Sequence, residues 1–228
     1  MSGADSLNPH HAPQIKVCGL TRVDEAVACA RLGADAVGLI FYSPSPRFVS
    51  DEAAREICLN LPESACPVGV FVNEDYAFIK KKIATCGLRA VQLHGTEPPD
   101  LVDALTEAGV LVIKSLFLSK SPTIQEACGY RASAYLIESG EGPLPGGNAS
   151  AWNWEAAVEL PANLLRILAG GLDSGNVADG IETVCPDAVD VSSGVEAAPG
   201  RKDLTKVKNF VGAVRNAKLR REPRRIFQ

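Results

Sequence analysis

The sequence predicts an α/β protein, a (β/α)8 barrel in a single domain. Three observations point there. Eight short apolar segments alternate with helix-forming stretches between residues 14 and 217. The apolar segments are continuous rather than alternating, which means burial on both faces, as in a parallel sheet covered by helices. Polar residues gather just after the strand ends, which in a barrel all lie on one rim. The competing fold is a doubly wound open sheet. That fold usually has fewer units and a Gly-x-Gly-x-x-Gly turn after its first strand; Cys18-Gly19-Leu20-Thr21 stands there instead.

The elements follow in order. Residues 14–19 form a first strand ending in Cys18-Gly19. Thr21 to Asp24 fits a capping box with Thr21 as N-cap, and a helix runs to Leu32 with Gly33 as its stop. Residues 35–41 are the second strand. A Pro-rich loop with Arg47 leads to a helix over 51–61. Strand three is 67–72 and its helix 75–86. Strand four is 90–93, ending in His94-Gly95, with a helix over 97–108. Strand five is 110–116, followed by a weak helix over 122–128. Strand six, 134–137, ends at Glu138. A Gly/Pro-rich loop spans 139–151, and a short helix starts at Trp154. Strand seven, 164–168, ends in Ala169-Gly170-Gly171, and Asp173 or Ser174 caps a helix to about residue 184. Strand eight is 188–191, and Asp203 caps the last helix, to about residue 217.

Composition narrows the function. The 228 residues are 46% hydrophobic and 22% charged, enough apolar material for a sizeable core. A net charge of -4 argues against a nucleic-acid binder that relies on a global basic field. No apolar run is long enough to span a membrane. The seven cysteines are odd in number and lack Cys-x-x-Cys spacing, which speaks against disulfides and thiolate metal sites and for a reducing cytoplasm. Of three histidines, two (His10, His11) lie in residues 1–13, read as a disordered leader, so no metal site is expected. Residues 14–217 make the barrel. Residues 218–228 read as a solvated basic tail, with an RNA or membrane contact as the alternative.

The chemistry is organised around residues 187–203. An apolar strand ends in Asp190 and is followed by Ser192-Ser193-Gly194. This turn, together with Gly170-Gly171, offers approachable backbone N–H groups after strands seven and eight, where such barrels bind phosphate. The expected partner is therefore a small phosphorylated substrate. Cys18, at a strand end, can be a nucleophile or a general base, or simply a buried small residue. Glu138, ending an apolar strand, can be a general acid or a solvated loop residue. Arg47, on a loop stiffened by two prolines, can clamp a carboxylate or lie on the surface. His94 lines the pocket or is a satisfied core histidine.

The motifs Lys16-Val17-Cys18-Gly19-Leu20-Thr21, Pro46-Arg47-Phe48-Val49, Val91-Gln92-Leu93-His94-Gly95, Gly170-Gly171-Leu172, Asp190-Val191-Ser192-Ser193-Gly194-Val195-Glu196 and Pro199-Gly200-Arg201-Lys202-Asp203 together resemble phosphoribosylanthranilate isomerases. The resemblance covers residues 14–217. It implies a cofactor-free Amadori rearrangement in tryptophan biosynthesis; the chain is expected to be a monomer or homodimer. It also implies Cys18 as general base, Arg47 against the anthranilate carboxylate, His94 and Asp190 in the pocket, and Gly170, Gly171, Ser192, Ser193 and Gly194 around phosphate. One departure stands out. The family's acid is normally an aspartate, and Glu138 occupies its place; the pattern downstream, Gly146-Gly147-Asn148-Ala149, also differs. A shift of one residue would put Ser139 there, which cannot supply an acid of suitable strength. Two alternatives follow: a related phosphosugar isomerase of histidine biosynthesis, which generally has two aspartates in the acid and base positions, and a phosphate-ligand sensor that has lost the acid.

Overall fold

The computed structural model describes residues 12–141 and 152–227. Eight parallel strands close into a barrel: β1 (Gln14–Cys18), β2 (Ala36–Ile40), β3 (Cys66–Phe71), β4 (Ala90–Leu93), β5 (Leu111–Phe117), β6 (Ala134–Glu138), β7 (Arg166–Leu168) and β8 (Ala188–Val191). Closure is made by β8 against β1, in a register that sets Lys16 beside Asp190. Successive side chains alternate between the two faces of each strand. Val17, Leu39, Leu93, Leu116 and Val189 belong to the large core packed against the helices. Ala36, Val68, Ala90, Ile113, Leu136 and Ile167 form a separate, smaller cluster inside the barrel.

The outer layer has α1 (Val23–Leu32), α2 (Asp51–Asn60), α3 (Tyr76–Cys86), α4 (Pro99–Glu107), α5 (Val177–Val184) and α6 (Leu204–Arg215). Side-chain oxygens start several of them: Ser50 accepts from the Ala53 N–H, Asp75 from Phe78, and Asp203 from Thr205 and Lys206. The helices expected after strands five and six are only 3-10 helices, Ile124–Gly129 and Trp154–Glu159. Among the described residues, no helix is long and apolar enough to cross a membrane.

Three expectations need correction. Thr21 is not the cap of α1. Arg22 takes that position without a side-chain cap bond, and the Thr21 hydroxyl donates instead to the Gly200 carbonyl at 2.9 Å. The long-range bond to the last loop wins over the local one. Second, residues 196–202, where no regular element is expected, contain one: β9 (Glu196–Ala198) and β10 (Arg201–Lys202) make a small antiparallel hairpin.

Third, the basic tail is not a free solvated run: it docks on the barrel. Asp187 is a fully buried carboxylate, and a buried charge must be paired. Arg221 Nη1 and Arg224 Nη2 pair with it, both at 2.8 Å, and the Arg224 backbone N–H donates to it at 3.0 Å. Arg225 reaches Asp35 at 2.9 Å. The Gln14 Oε1 accepts from the N–H groups of Ile226 and Phe227, and its Nε2 donates to the Phe227 carbonyl. Ile226 and Phe227 are thereby buried in the cluster inside the barrel and cork its N-terminal mouth. Of the leader expected over residues 1–13, only Ala12 and Pro13 are among the described residues, and Gly146 to Ala149 lie outside them.

Candidate active site

Two groups of side chains meet at the C-terminal mouth of the barrel. The first surrounds Cys18, the last residue of β1, whose side chain is buried. The neighbouring position on β2 is Gly38, and a Cβ there would lie 2.6 Å from the Cys18 sulfur. The absence of a side chain at Gly38 is what gives the thiol its room. One pleat deeper, Lys16 is wholly buried and its Nζ lies 2.9 Å from Asp190 Oδ1. Ser192 donates its hydroxyl to the Cys18 carbonyl at 3.1 Å, tying the end of β8 to the end of β1.

Above Cys18 sits a second pair of charges. Arg47 and Glu196 form a bidentate ion pair, Nε to Oε1 at 2.8 Å and Nη2 to Oε2 at 2.7 Å. Lys202 Nζ adds a bond to Glu196 at 2.9 Å and one to the Ser192 carbonyl at 3.1 Å. Burial works to raise the Glu196 carboxyl, but Arg47 and Lys202 outweigh it and hold it below its usual value. Arg47 thus lies at the mouth as expected, with one edge of its fork on Glu196. Among the described residues, its Nη1 donates to no acceptor.

The second group is on β4, β5 and β6. Glu138 ends β6, and His94 follows β4; both are buried, with His94 Nε2 3.2 Å from Glu138 Oε1. On the other side of the ring, Nδ1 meets the Ser115 hydroxyl at 2.7 Å and the Gln92 amide at 2.8 Å. Phe117 packs edge-on against the imidazole. His94 is therefore oriented from both sides, and it fixes the carboxyl group of Glu138.

Burial is the largest influence on the Cys18 thiol and pushes its pKa up; Lys16 and Lys202 pull it down and Asp190 pushes it further up. The net is a raised value: a weaker acid, and so a stronger base once ionised.

The loops after β7 and β8 approach closely. A Cβ on Gly194 would overlap the Leu172 carbonyl, so only glycine allows this contact. Ser193 and Gly194 open a single 3-10 turn, Ser193–Val195, whose first N–H groups have no partner within it. Gly170 and Gly171 stand on the facing loop, where Trp152 packs against Gly170 and donates its Nε1–H to the Ala169 carbonyl at 3.0 Å.

All ten residues singled out from the sequence lie at this rim or in its loops. Gly38 and Ser115 carried no signal in the sequence, and Lys16, Glu196 and Lys202 stood in its motifs without an assigned role. Lys16 carried a legible signal: a lysine inside an apolar strand has to find a buried partner.

The chain matches the family model described as N-(5'phosphoribosyl)anthranilate (PRA) isomerase over residues 15–213. It is 51% identical over 214 residues to the N-(5'-phosphoribosyl)anthranilate isomerase of Desulfatibacillum aliphaticivorans, covering 94% of this chain and 98% of that protein. Among solved structures it is similar to phosphoribosyl anthranilate isomerase from Thermotoga maritima, with a TM-score of 0.82, 38% identity, and coverage of 89% and 98% of the two chains. A phosphoribosyl anthranilate isomerase in complex with reduced 1-(o-carboxyphenylamino)-1-deoxyribulose 5-phosphate matches with a TM-score of 0.79 and 37% identity over the same shares.

Proposed function

The chain belongs to the N-(5'-phosphoribosyl)anthranilate isomerase family, and from that premise we propose how its residues divide the chemistry. The protein is an isomerase of tryptophan biosynthesis. It converts N-(5-phosphoribosyl)anthranilate to 1-(2-carboxyphenylamino)-1-deoxyribulose 5-phosphate. The relatives' names give no support to a silent phosphate sensor. The seven free thiols suit a reducing cytoplasm.

Glu138 protonates the furanose ring oxygen, and the ring opens to a Schiff base. The Cys18 thiolate takes the proton from the sugar's second carbon, giving an enolamine that tautomerises to the ketone. The observation carrying this assignment is that Cys18 and Glu138 end β1 and β6 inside one rim, each flanked by its own set of polar partners. Acid and base thus come from different sides of the barrel. The substrate's two anionic ends have separate anchors. The phosphate lies between the Gly170-Gly171 and Ser192-Ser193-Gly194 loops. The anthranilate carboxylate meets the free edge of Arg47 without displacing Glu196. Anchoring both ends holds the sugar in place for each transfer, and positioning of this kind contributes as much as the transfers themselves.

The test is a pair of variants. Cys18→Ala and Glu138→Gln should each lower kcat by at least ~10²-fold, the usual contribution of a positioned acid or base. Inhibition by inorganic phosphate should stay within about threefold of wild type, since neither substitution removes a backbone or hydroxyl donor of the Gly170-Gly171 and Ser192-Ser193-Gly194 loops. More than a tenth of wild-type kcat in either variant would remove that residue from its role.

A further inference from the structure

Lys16 is out of reach of solvent, inside the barrel, two residues before Cys18 on the same face of β1. A lysine there loses its hydration and is retained only where it has anionic partners. One is Asp190, its register neighbour on β8, at 2.9 Å. A single carboxylate oxygen satisfies one of three ammonium protons.

We propose that Lys16 is a positioning residue for the isomerisation: its buried ammonium, held by Asp190 one pleat below Cys18, stabilises the thiolate that removes the substrate proton. The inference rests on Cys18 being the base. The charge balance carries it. Three cations stand round Cys18: Lys16 from below on the same strand, Lys202 from the hairpin, bonded to the carbonyl of the Ser192 whose hydroxyl meets the Cys18 carbonyl, and Arg47 from the loop after β2, its side chain against Gly19. Two carboxylates, Asp190 and Glu196, offset two of them. With a neutral thiol, one positive charge is left over; with a thiolate, the set is neutral. On the β2 side Gly38 brings no charge, and across the mouth His94 and Glu138 act on Asp190. Lys202 and Arg47 are both committed to Glu196, whereas Lys16 is the cation on Cys18's own strand. Burial works to lower the Lys16 pKa, yet Asp190 and Cys18 outweigh it and hold the ammonium above its usual value. Lys16 therefore stays protonated throughout. The proton taken from the sugar carbon goes to sulfur, and Lys16 keeps its own protons and its bond to Asp190 as the sulfur charge is lost.

Lys16→Met and Asp190→Asn should act in opposite directions. With Lys16→Met, the acidic limb of the kcat profile moves up by at least one pH unit. Turnover at pH 7 falls about tenfold or more, recovers towards pH 9.5, and KM changes little. With Asp190→Asn, the limb moves down, because Cys18 becomes the principal anionic partner of Lys16. Peptide-resolved alkylation of Cys18 by iodoacetamide against pH should give the same two shifts. That readout follows ionisation of the sulfur whether or not Cys18 is the base. If Cys18→Ala kept its activity while the alkylation shifts appeared, the base assignment would fail and the Lys16–thiol coupling would stand. Lys16→Met with an unmoved alkylation profile, or Asp190→Asn with a limb moved upward, overturns the proposal. Should Lys16→Met not fold, the wild-type protein decides: the Lys16 Nζ resonance must shift as Cys18 ionises, and an unchanged resonance overturns it equally.

Discussion

At the scale of single residues, two positions are most informative, Glu138 and Gly38. Glu138 replaces the expected aspartate, and its longer side chain meets His94 at 3.2 Å. Shortening it by one methylene withdraws the carboxyl group by about 1.5 Å. Glu138→Asp should therefore lower kcat about tenfold at unchanged phosphate inhibition; a faster enzyme would mean that the site has not adapted to glutamate. Gly38→Ala should cost about 1–3 kcal/mol by overpacking. It should also reduce kcat more than KM, because its Cβ would press on the sulfur and on Cys18 Cα at 3.0 Å. Thermal melts and steady-state kinetics measure both effects. Cys18 and Glu138 were legible as candidates because each terminates an apolar run, and the strand end is where a barrel puts its chemistry. The Lys16–Asp190 and Arg47–Glu196 pairs were not legible. Their partners lie 174 and 149 residues apart, and no local pattern reports which strand closes against which.

Among the elements, the C-terminal tail departs most from the sequence-based expectation. Its arginines resemble a solvated charge run. What they answer is a carboxylate at the foot of β8 whose burial the linear sequence does not reveal. Burial alone would raise the Asp187 pKa, but bonds from Arg224 and Arg221 and from backbone N–H groups bring it down to about 2. A carboxyl group lower in the folded than in the unfolded chain stabilises the fold above its unfolded pKa, ~3.9. That contribution, about 2 kcal/mol, is lost as the pH falls from about 4 to about 2. Protease cleavage of the tail followed against pH should accelerate in that window, and Asp187→Asn should remove the pH dependence. Truncation after Ala217 should cost about 3–5 kcal/mol, mainly from exposing the cluster that Ile226 and Phe227 cover. A melting temperature unchanged by truncation would contradict this account. The strands were legible because continuous apolarity is itself the signature of two-sided burial. The weak and short helices expected after β5 and β6 are 3-10 helices, and the hairpin β9–β10 sits where no element was expected.

At the scale of the whole molecule, chemistry and cohesion occupy opposite ends of the barrel. The rim proposed for catalysis holds buried charges and close-approaching loops, features that cost stability. The other mouth is filled by Ile226 and Phe227 and tied shut by Gln14. This cork lies beyond residues 15–213, the part that matches the family model. The tail is thus a reserve of stability outside the part that matches the family model, and it widens the set of substitutions the rim can accept. A change that removes 2 kcal/mol from a marginal barrel unfolds a large fraction of it; the same change in a barrel with a reserve passes unnoticed. Random substitutions in the rim loops should accordingly be tolerated more often in the full chain than in a chain ending at Ala217, scored by soluble yield. Equal tolerance in the two would contradict it. By this logic the tail is a capacitor for sequence drift, and it allows the opposite face to explore side chains of a different length, as at Glu138.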